Sequence, residues 1–247
     1  MSNLVALITG SSRGIGASCA IELAKCGINV VINYNRNLEK AKELENYIKV
    51  NYNVDVMSIK CDISKEEEVI SMIDQIIDNF GKIDILVNNA SICKDTPLLD
   101  KTVKDFRHIL DVNLIGTFLC SKYVSKIMKE LGHGKIINIA STNALDTYYP
   151  ESADYDASKA GVISLTHNFA KELAPIISVN CICPGWVNTD MNSSLSISQV
   201  REEENKILLR RFADPKEIAN VVVFLASSKS SYINNEIIRV DGGSFSE

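Results

Sequence analysis

Short apolar runs rich in Val and Ile alternate along the chain with longer stretches in which apolar residues recur every three or four positions. The runs at residues 4–9, 30–33, 54–59, 83–88, 135–139, 178–183 and 237–240 read as strands, and the stretches between them as helices. That alternation predicts an α/β fold, with about seven parallel strands, doubly wound, and helices covering both faces of the sheet. Punctuation agrees with the periodicity. Ser64 and Glu67 stand at capping-box spacing ahead of Val69, Ile73, Ile76, Ile77 and Phe80, which share one helical face, and Gly81 predicts the stop. Asp214-Pro215 predicts another helix start, with proline at the first helical position. Residues 188–211 break the rhythm with small polar residues followed by a charged helical segment. They form either a lid over a site or a surface helical hairpin without a gating role.

Composition narrows the classes. The 247 residues are 46% hydrophobic and 23% charged, the balance of a soluble globular chain, and they are expected to form a single domain over 1–247. The net charge is −5 with no block of five like charges, which argues against a nucleic-acid partner. The longest stretch without Asp, Glu, Lys, Arg or His, residues 173–189, contains Pro175, Asn180, Pro184 and Gly185 and is no membrane helix. The first nine residues run from a short polar start directly into a strand without a basic leader, so a cytoplasmic protein is expected. None of the seven cysteines lies in a CxxC pair; Cys181 and Cys183 stand at strand spacing and are expected to be reduced packing residues. The three histidines are scattered without ligand spacing, so no metal site is expected.

The first strand runs straight into Gly10-Ser11-Ser12-Arg13-Gly14-Ile15-Gly16 and then into a helical pattern through Cys19, Leu23 and Ala24 that ends at Gly27. Glycines let the backbone bend tightly and approach a pyrophosphate, which sits where the helix presents unpaired amides. The spacing is G-x-x-x-G-x-G rather than the commoner G-x-G-x-x-G. About 20 residues further on, where a carboxylate would hold the ribose hydroxyls of NAD, the chain reads Asn33-Tyr34-Asn35-Arg36. With Arg13 and Arg36 flanking the place of a 2′-phosphate, NADP(H) is the expected cofactor. If both arginines are only solvated helix-end charges, the choice of cofactor stays open.

Tyr155 and Lys159 stand four apart in a helical segment, so their side chains project from the same face. Ser141 and Asn88-Asn89-Ala90 each follow a strand, where open parallel sheets gather reactive groups. In this order, Thr9-Gly10-x-x-x-Gly14-x-Gly16, Asp62, Asn88-Asn89-Ala90, Asn113, Ser141, Tyr155, Lys159 and Pro184-Gly185 resemble the short-chain dehydrogenase/reductases across nearly the whole chain. The fold implied is Rossmann-like. Within that family the chain is most similar to the 3-oxoacyl-acyl-carrier-protein reductases, through residues 9–16, Pro184-Gly-Trp-Val-Asn-Thr-Asp-Met191 and Val240-Asp-Gly-Gly243.

The resemblance implies that Tyr155 passes a proton to a carbonyl oxygen while hydride leaves the nicotinamide, and that Ser141 hydrogen-bonds the same oxygen. It also implies that Lys159 binds the nicotinamide ribose and, with the charge on the oxidised ring, brings the Tyr155 pKa toward neutrality. Asn113, within a helical segment over 103–129, is implied to hold a water behind Lys159; the alternative for Asn88 and Asn113 is that they only cap or bridge backbone groups. Gly10, Ser12, Arg13, Gly14, Ile15, Gly16, Asn35, Arg36, Asp62, Ile63, Asn89, Ala90, Tyr155, Lys159, Pro184, Gly185, Val187 and Thr189 are the implied cofactor contacts. A homotetramer is implied as well. An acidic acyl carrier protein would dock on a basic face, for which Lys122, Lys126 and Lys129 share one side of a helix, although Leu173-Ala-Pro-Ile-Ile177 lacks an expected arginine.

Two departures from the family pattern bear on substrate. Ser91 stands where glycine is usual, and the stretch from Ser141 to Tyr155 is slightly long, carrying Tyr148, Tyr149, Pro150 and Glu151. These side chains either wall a substrate pocket or stabilise a surface loop. The leading expectation is NADPH-dependent reduction of a 3-oxoacyl thioester in fatty acid synthesis. The alternatives are an alcohol or sugar dehydrogenase of the same family and a non-catalytic nucleotide sensor, the latter disfavoured by the complete set of Asn113, Ser141, Tyr155 and Lys159.

Overall fold

A computed structural model describes residues 4–192 and 195–244. All seven expected strands are present: β1 (Val5–Ile8), β2 (Asn29–Tyr34), β3 (Val56–Lys60), β4 (Ile85–Asn88), β5 (Gly134–Ile139), β6 (Ile177–Pro184) and β7 (Ile237–Val240). They form one parallel sheet in the order β3-β2-β1-β4-β5-β6-β7. From β1 the chain winds outward to β2 and β3, then returns to β4 and winds the other way. The crevice at the carboxyl ends of β1 and β4 is therefore where a doubly wound sheet takes its ligand.

Both faces of the sheet are covered, which is why the strands are apolar on consecutive positions. Ala6 and Ile8 of β1, with Val30 and Ile32 of β2, pack under α1 (Gly14–Lys25), α2 (Leu38–Asn51) and α8 (Pro215–Ala226). Val5, Leu7 and Val31 point the other way, into α3 (Glu66–Phe80), α5 (Gly116–Leu131) and α6 (Ala153–Leu173). A fully buried side chain such as Leu7 contributes roughly 1.5–3 kcal/mol by leaving water.

Three local expectations need comment. The Asp214 start is as read, a capping box with Glu217 and Pro215 in the first turn. The Ser64/Glu67 capping box does not form: α3 starts at Glu66, and Ser64 instead donates both its backbone N–H and its hydroxyl to Asp62 Oδ1, at 3.1 and 2.7 Å. Three glutamates, Glu66, Glu67 and Glu68, answer the α3 dipole in place of a cap, and Gly81 ends the helix at φ 71° as expected. The helical segment expected over 103–129 is broken as well. It consists of α4 (Val103–Leu110), a π-helical turn (Asp111–Ile115) and α5, and Asn113 lies in the π turn.

Among the described residues no helix is long and apolar enough to cross a membrane. All seven cysteines are free, and Cys181 and Cys183 pack with Ala140 and Val162 behind the site.

Candidate active site

The turn after β1 is held by its neighbours on both sides. Gly10 N–H donates to Asn33 Oδ1 (3.0 Å), so the residue at the end of β2 supports the turn. Thr9 Oγ1 accepts from the N–H groups of Asn89 and Ala90, and Asn89 Nδ2 donates to the carbonyls of Thr9 and Gly10, all at 3.0–3.1 Å. Gly10 has φ 62°, and a Cβ there would meet Ala90 Cα at 2.7 Å; one on Gly16 would meet Asn89 Nδ2 at 2.5 Å. These two glycines let the turn lie directly against β4. A Cβ on Gly14 (φ 56°) would meet Thr189 Cγ2 at 3.4 Å, and α1 starts there with no side chain capping its amides. A narrow, open helix N-terminus beside a glycine cradle fits a dinucleotide pyrophosphate.

The second half of the site stands at the ends of β5 and α6. The Tyr155 hydroxyl is in hydrogen-bond contact with Ser141. Burial pushes the phenol pKa well up, and the Ser141 contact only partly opposes this. Lys159 Nζ donates to the carbonyl of Ile139 (2.8 Å) and sits 5.6 Å from the centroid of the Tyr155 ring. Burial lowers the Lys159 pKa to about 8. Desolvation thus dominates at the phenol, which keeps its proton.

Nearly the whole chain has relatives. Residues 10–244 match the family model described as "Enoyl-(Acyl carrier protein) reductase". The chain is 40% identical over 245 residues to the 3-oxoacyl-[acyl-carrier-protein] reductase FabG of Staphylococcus epidermidis, covering 98% of this chain and 99% of that protein. It is 39% identical over 242 residues to the corresponding FabG of Aquifex aeolicus, covering 98% and 97%. The chain belongs to the short-chain dehydrogenase/reductase family. A dehydrogenase/reductase structure from Sinorhizobium meliloti superposes with a TM-score of 0.92 at 32% identity, over 98% of this chain and 95% of that one.

Set within this reductase family, the remaining expected residues divide by what their side chains touch. Asn88 bridges Ser121 Oγ (2.9 Å) and Asn138 Oδ1 (2.8 Å), a buried support for the β4–β5 edge. Asn113 Oδ1 accepts from Ile92 N–H, while its amide donates to the Ile92 carbonyl and to Ser158 Oγ, so both amide hydrogens pin the loop after β4 against α6. Ile63 and Val187 are buried in the two core layers, and Gly116 exists to let Ile63 in. Pro184 closes β6, and Gly185 fits against Asp241, 2.7 Å from its would-be Cβ. Burial would raise the pKa of Asp62, but hydrogen bonds from Ser64 and Asn35 hold it below the usual carboxylate range.

The site also contains Asn143, Asp156, Lys101, Asp154 and Glu203, which sequence reasoning passed over. Asn143 Oδ1 accepts from Ser141 Oγ (3.1 Å), and Asn143 Nδ2 donates to Asp156 Oδ1 (2.7 Å). Asp156 also accepts from Ser152 Oγ, so Ser141 is oriented by a relay that starts one residue after the tyrosine. Lys101 donates to Asp154 Oδ1 at 2.8 Å in a fully buried ion pair beside Tyr155. Tyr149 Oη and Trp186 Nε1 both donate to Glu203 Oε2, at 2.9 and 3.0 Å, which joins α7 (Ile197–Asn205) to the loop before α6. Trp186 stacks on Phe212 (centroids 5.3 Å). Tyr149 is thus tied to Glu203 and Trp186, whereas Tyr148 is exposed.

Proposed function

We propose that this enzyme reduces the ketone of a 3-oxoacyl thioester carried on an acyl carrier protein, using NADPH. The observation that carries the reading is the hydrogen-bonded contact of Tyr155 with Ser141, with Lys159 behind it, at the rim of the crevice beside the glycine turn. The substrate follows from relatives named 3-oxoacyl-[acyl-carrier-protein] reductase at 40% and 39% identity over nearly the full length.

A bound reduced nicotinamide supplies the hydride. The chain's own residues supply the rest. Tyr155, kept neutral by burial, is the acid that protonates the carbonyl oxygen, and a protonated phenol suits reduction rather than alcohol oxidation. Ser141, whose hydroxyl donates to Asn143 Oδ1 in the free protein, turns that hydrogen to the same oxygen as charge develops there, while the Asn143 N–H still holds its Oγ. Lys159 is the proton reservoir closest to the phenol and the donor for the nicotinamide ribose. Of the 188–211 segment, residues 193 and 194 lie outside the described residues; the remainder acts as a lid, fastened by Glu203 to Tyr149 and Trp186. NADPH is favoured because the end of β2 offers Asn33 to the turn rather than a carboxylate to a ribose, with Arg13 and Arg36 nearby.

An acidic carrier docks on α5. There Lys122 is paired with Glu66 (2.9 Å) and Lys129 with Glu172 (3.7 Å), whereas Lys126 lies over the Tyr123 ring (4.8 Å), which makes Lys126 the strongest point of the patch. Exposed Ile115 in the π turn and Phe118 at the start of α5 support burial of that end in a homotetramer, which leaves Lys126 and Lys129, nearer the end of the helix, to the carrier. Seven free thiols fit a reducing cytoplasm.

The test is consumption of reduced cofactor with acetoacetyl thioester on a carrier protein. Turnover with NADPH is expected to exceed that with NADH by about tenfold or more. Turnover of free sugars or alcohols with none of the thioester overturns the reading.

A further inference from the structure

A carboxylate stands where the NADPH reading needs an anion. Asp190 Oδ2 lies 2.9 Å from Lys40 Nζ and 3.7 Å from Arg13 Nη1, so one oxygen sits between two cations. The three residues come from separate parts of the chain: Arg13 is the N-cap of α1, Lys40 lies in the first turn of α2, and Asp190 follows Thr189, the residue that faces Gly14. The contact therefore ties the start of the 188–211 segment across the mouth of the groove between α1 and α2. Lys40 holds the Asp190 carboxyl below its usual range, the sign of a net attraction.

We infer that Asp190 is an internal counter-ion for the 2′-phosphate cations: it occupies Arg13 and Lys40 in the free protein and is displaced when a 2′-phosphorylated dinucleotide binds, with Lys40 as a phosphate ligand. The inference rests on the NADPH reading. Its physical basis is a competition for the same donors. All three side chains are well exposed (45–62%), and ion pairs in water hold weakly, so the carboxylate is easily exchanged. A phosphate monoester carries about −1.5 to −2 charges near neutrality and three acceptor oxygens, against one charge on Asp190. The exchange consequently favours phosphate, and it releases Asp190 only for a cofactor that has one. A dinucleotide lacking the 2′-phosphate leaves the tie intact. The same contact therefore reports which cofactor has bound to the segment that carries Glu203.

The experiment is calorimetric binding of 2′,5′-ADP and of 5′-ADP to the full-length protein and to two variants. Asp190→Asn is expected to tighten 2′,5′-ADP by about three- to tenfold, with 5′-ADP unchanged within about twofold. Lys40→Gln is expected to weaken 2′,5′-ADP by a similar factor and to leave 5′-ADP alone. Both positions are exposed, so neither change threatens folding. If the wild-type protein binds the two nucleotides equally, the NADPH reading fails and this inference with it. If the wild-type protein selects 2′,5′-ADP but Asp190→Asn does not tighten it, or Lys40→Gln does not weaken it, the counter-ion inference alone is overturned.

Discussion

The two walls of the crevice are built from different material. On the β1 side, the turn over residues 9–16 offers backbone: glycines, uncapped helix amides, a Gly10 N–H held by Asn33, and carbonyls braced by Asn89. On the β5–β6 side, the wall is a mesh of side chains in which Ser141, Asn143 and Asp156 form one relay and Tyr149, Glu203 and Trp186 another. The backbone wall can bind the part of a ligand common to many reactions. The side-chain wall places a single proton and shapes a single substrate. Binding and turnover should therefore be separable by mutation.

The largest expected effect breaks turnover while sparing binding. Tyr155→Phe removes the hydroxyl that contacts Ser141 and leaves the ring that packs by Lys159. Turnover is expected to fall by about 10²–10⁴-fold, the range for loss of a general acid. The dissociation constant for the dinucleotide, measured by calorimetry, should stay within about twofold. A variant that lost binding and turnover together would erase the distinction between the walls.

The same difference in material decides what could be read from the chain. Strand positions, the glycine turn and the Asp214 cap are local: each is carried by residues adjacent in sequence whose backbone needs differ from those of their neighbours. Tyr155 and Lys159 were legible because one helical turn joins them. The Asn143–Asp156 relay and the Tyr149–Glu203 link depend on contacts between residues 13 and 54 positions apart, which no local pattern carries. The Ser64/Glu67 motif failed for the opposite reason. Asp62, two residues away, captures the serine and shifts the helix start to Glu66. The π turn that interrupts 103–129 is likewise tertiary in origin, since Asn113 there is engaged by Ile92 and Ser158.

A second effect sharpens the contrast through pH. Lys159 belongs to the side-chain wall and is buried, with its pKa lowered to about 8 from an unfolded-state value of 10.5. Below pH 8 the ammonium is present in both states, and its burial weakens the fold. Between pH 8 and 10.5 the native state releases its proton first, the unfolded chain binds more protons, and stability rises with pH. Lys159→Met removes this dependence. Measured by denaturant unfolding, the wild type should gain about 3 kcal/mol on the variant between pH 7 and 10.5. The raised Tyr155 pKa acts in the opposite direction above pH 10, but it is common to both proteins and cancels in the difference. A flat difference would mean that water reaches the ammonium.

The smallest expected effect falls on the backbone wall. Gly10→Ala places a Cβ 2.7 Å from Ala90 Cα at a residue with φ 62°, so the turn must move away from β4. Gly81→Ala, at φ 71° with nothing within 4 Å, has the same backbone strain and no neighbour to displace. Strain alone should cost each variant about 1–2 kcal/mol in unfolding experiments. What separates them is the ligand: dinucleotide affinity should drop by about tenfold or more in Gly10→Ala and remain unchanged in Gly81→Ala. The Tyr155→Phe result should invert here, because a turn that no longer fits the pyrophosphate raises the cofactor KM while the Tyr155–Ser141 contact keeps its geometry. Comparable losses of affinity in both glycine variants would show that global stability, rather than the fit of the turn against Ala90, governs binding.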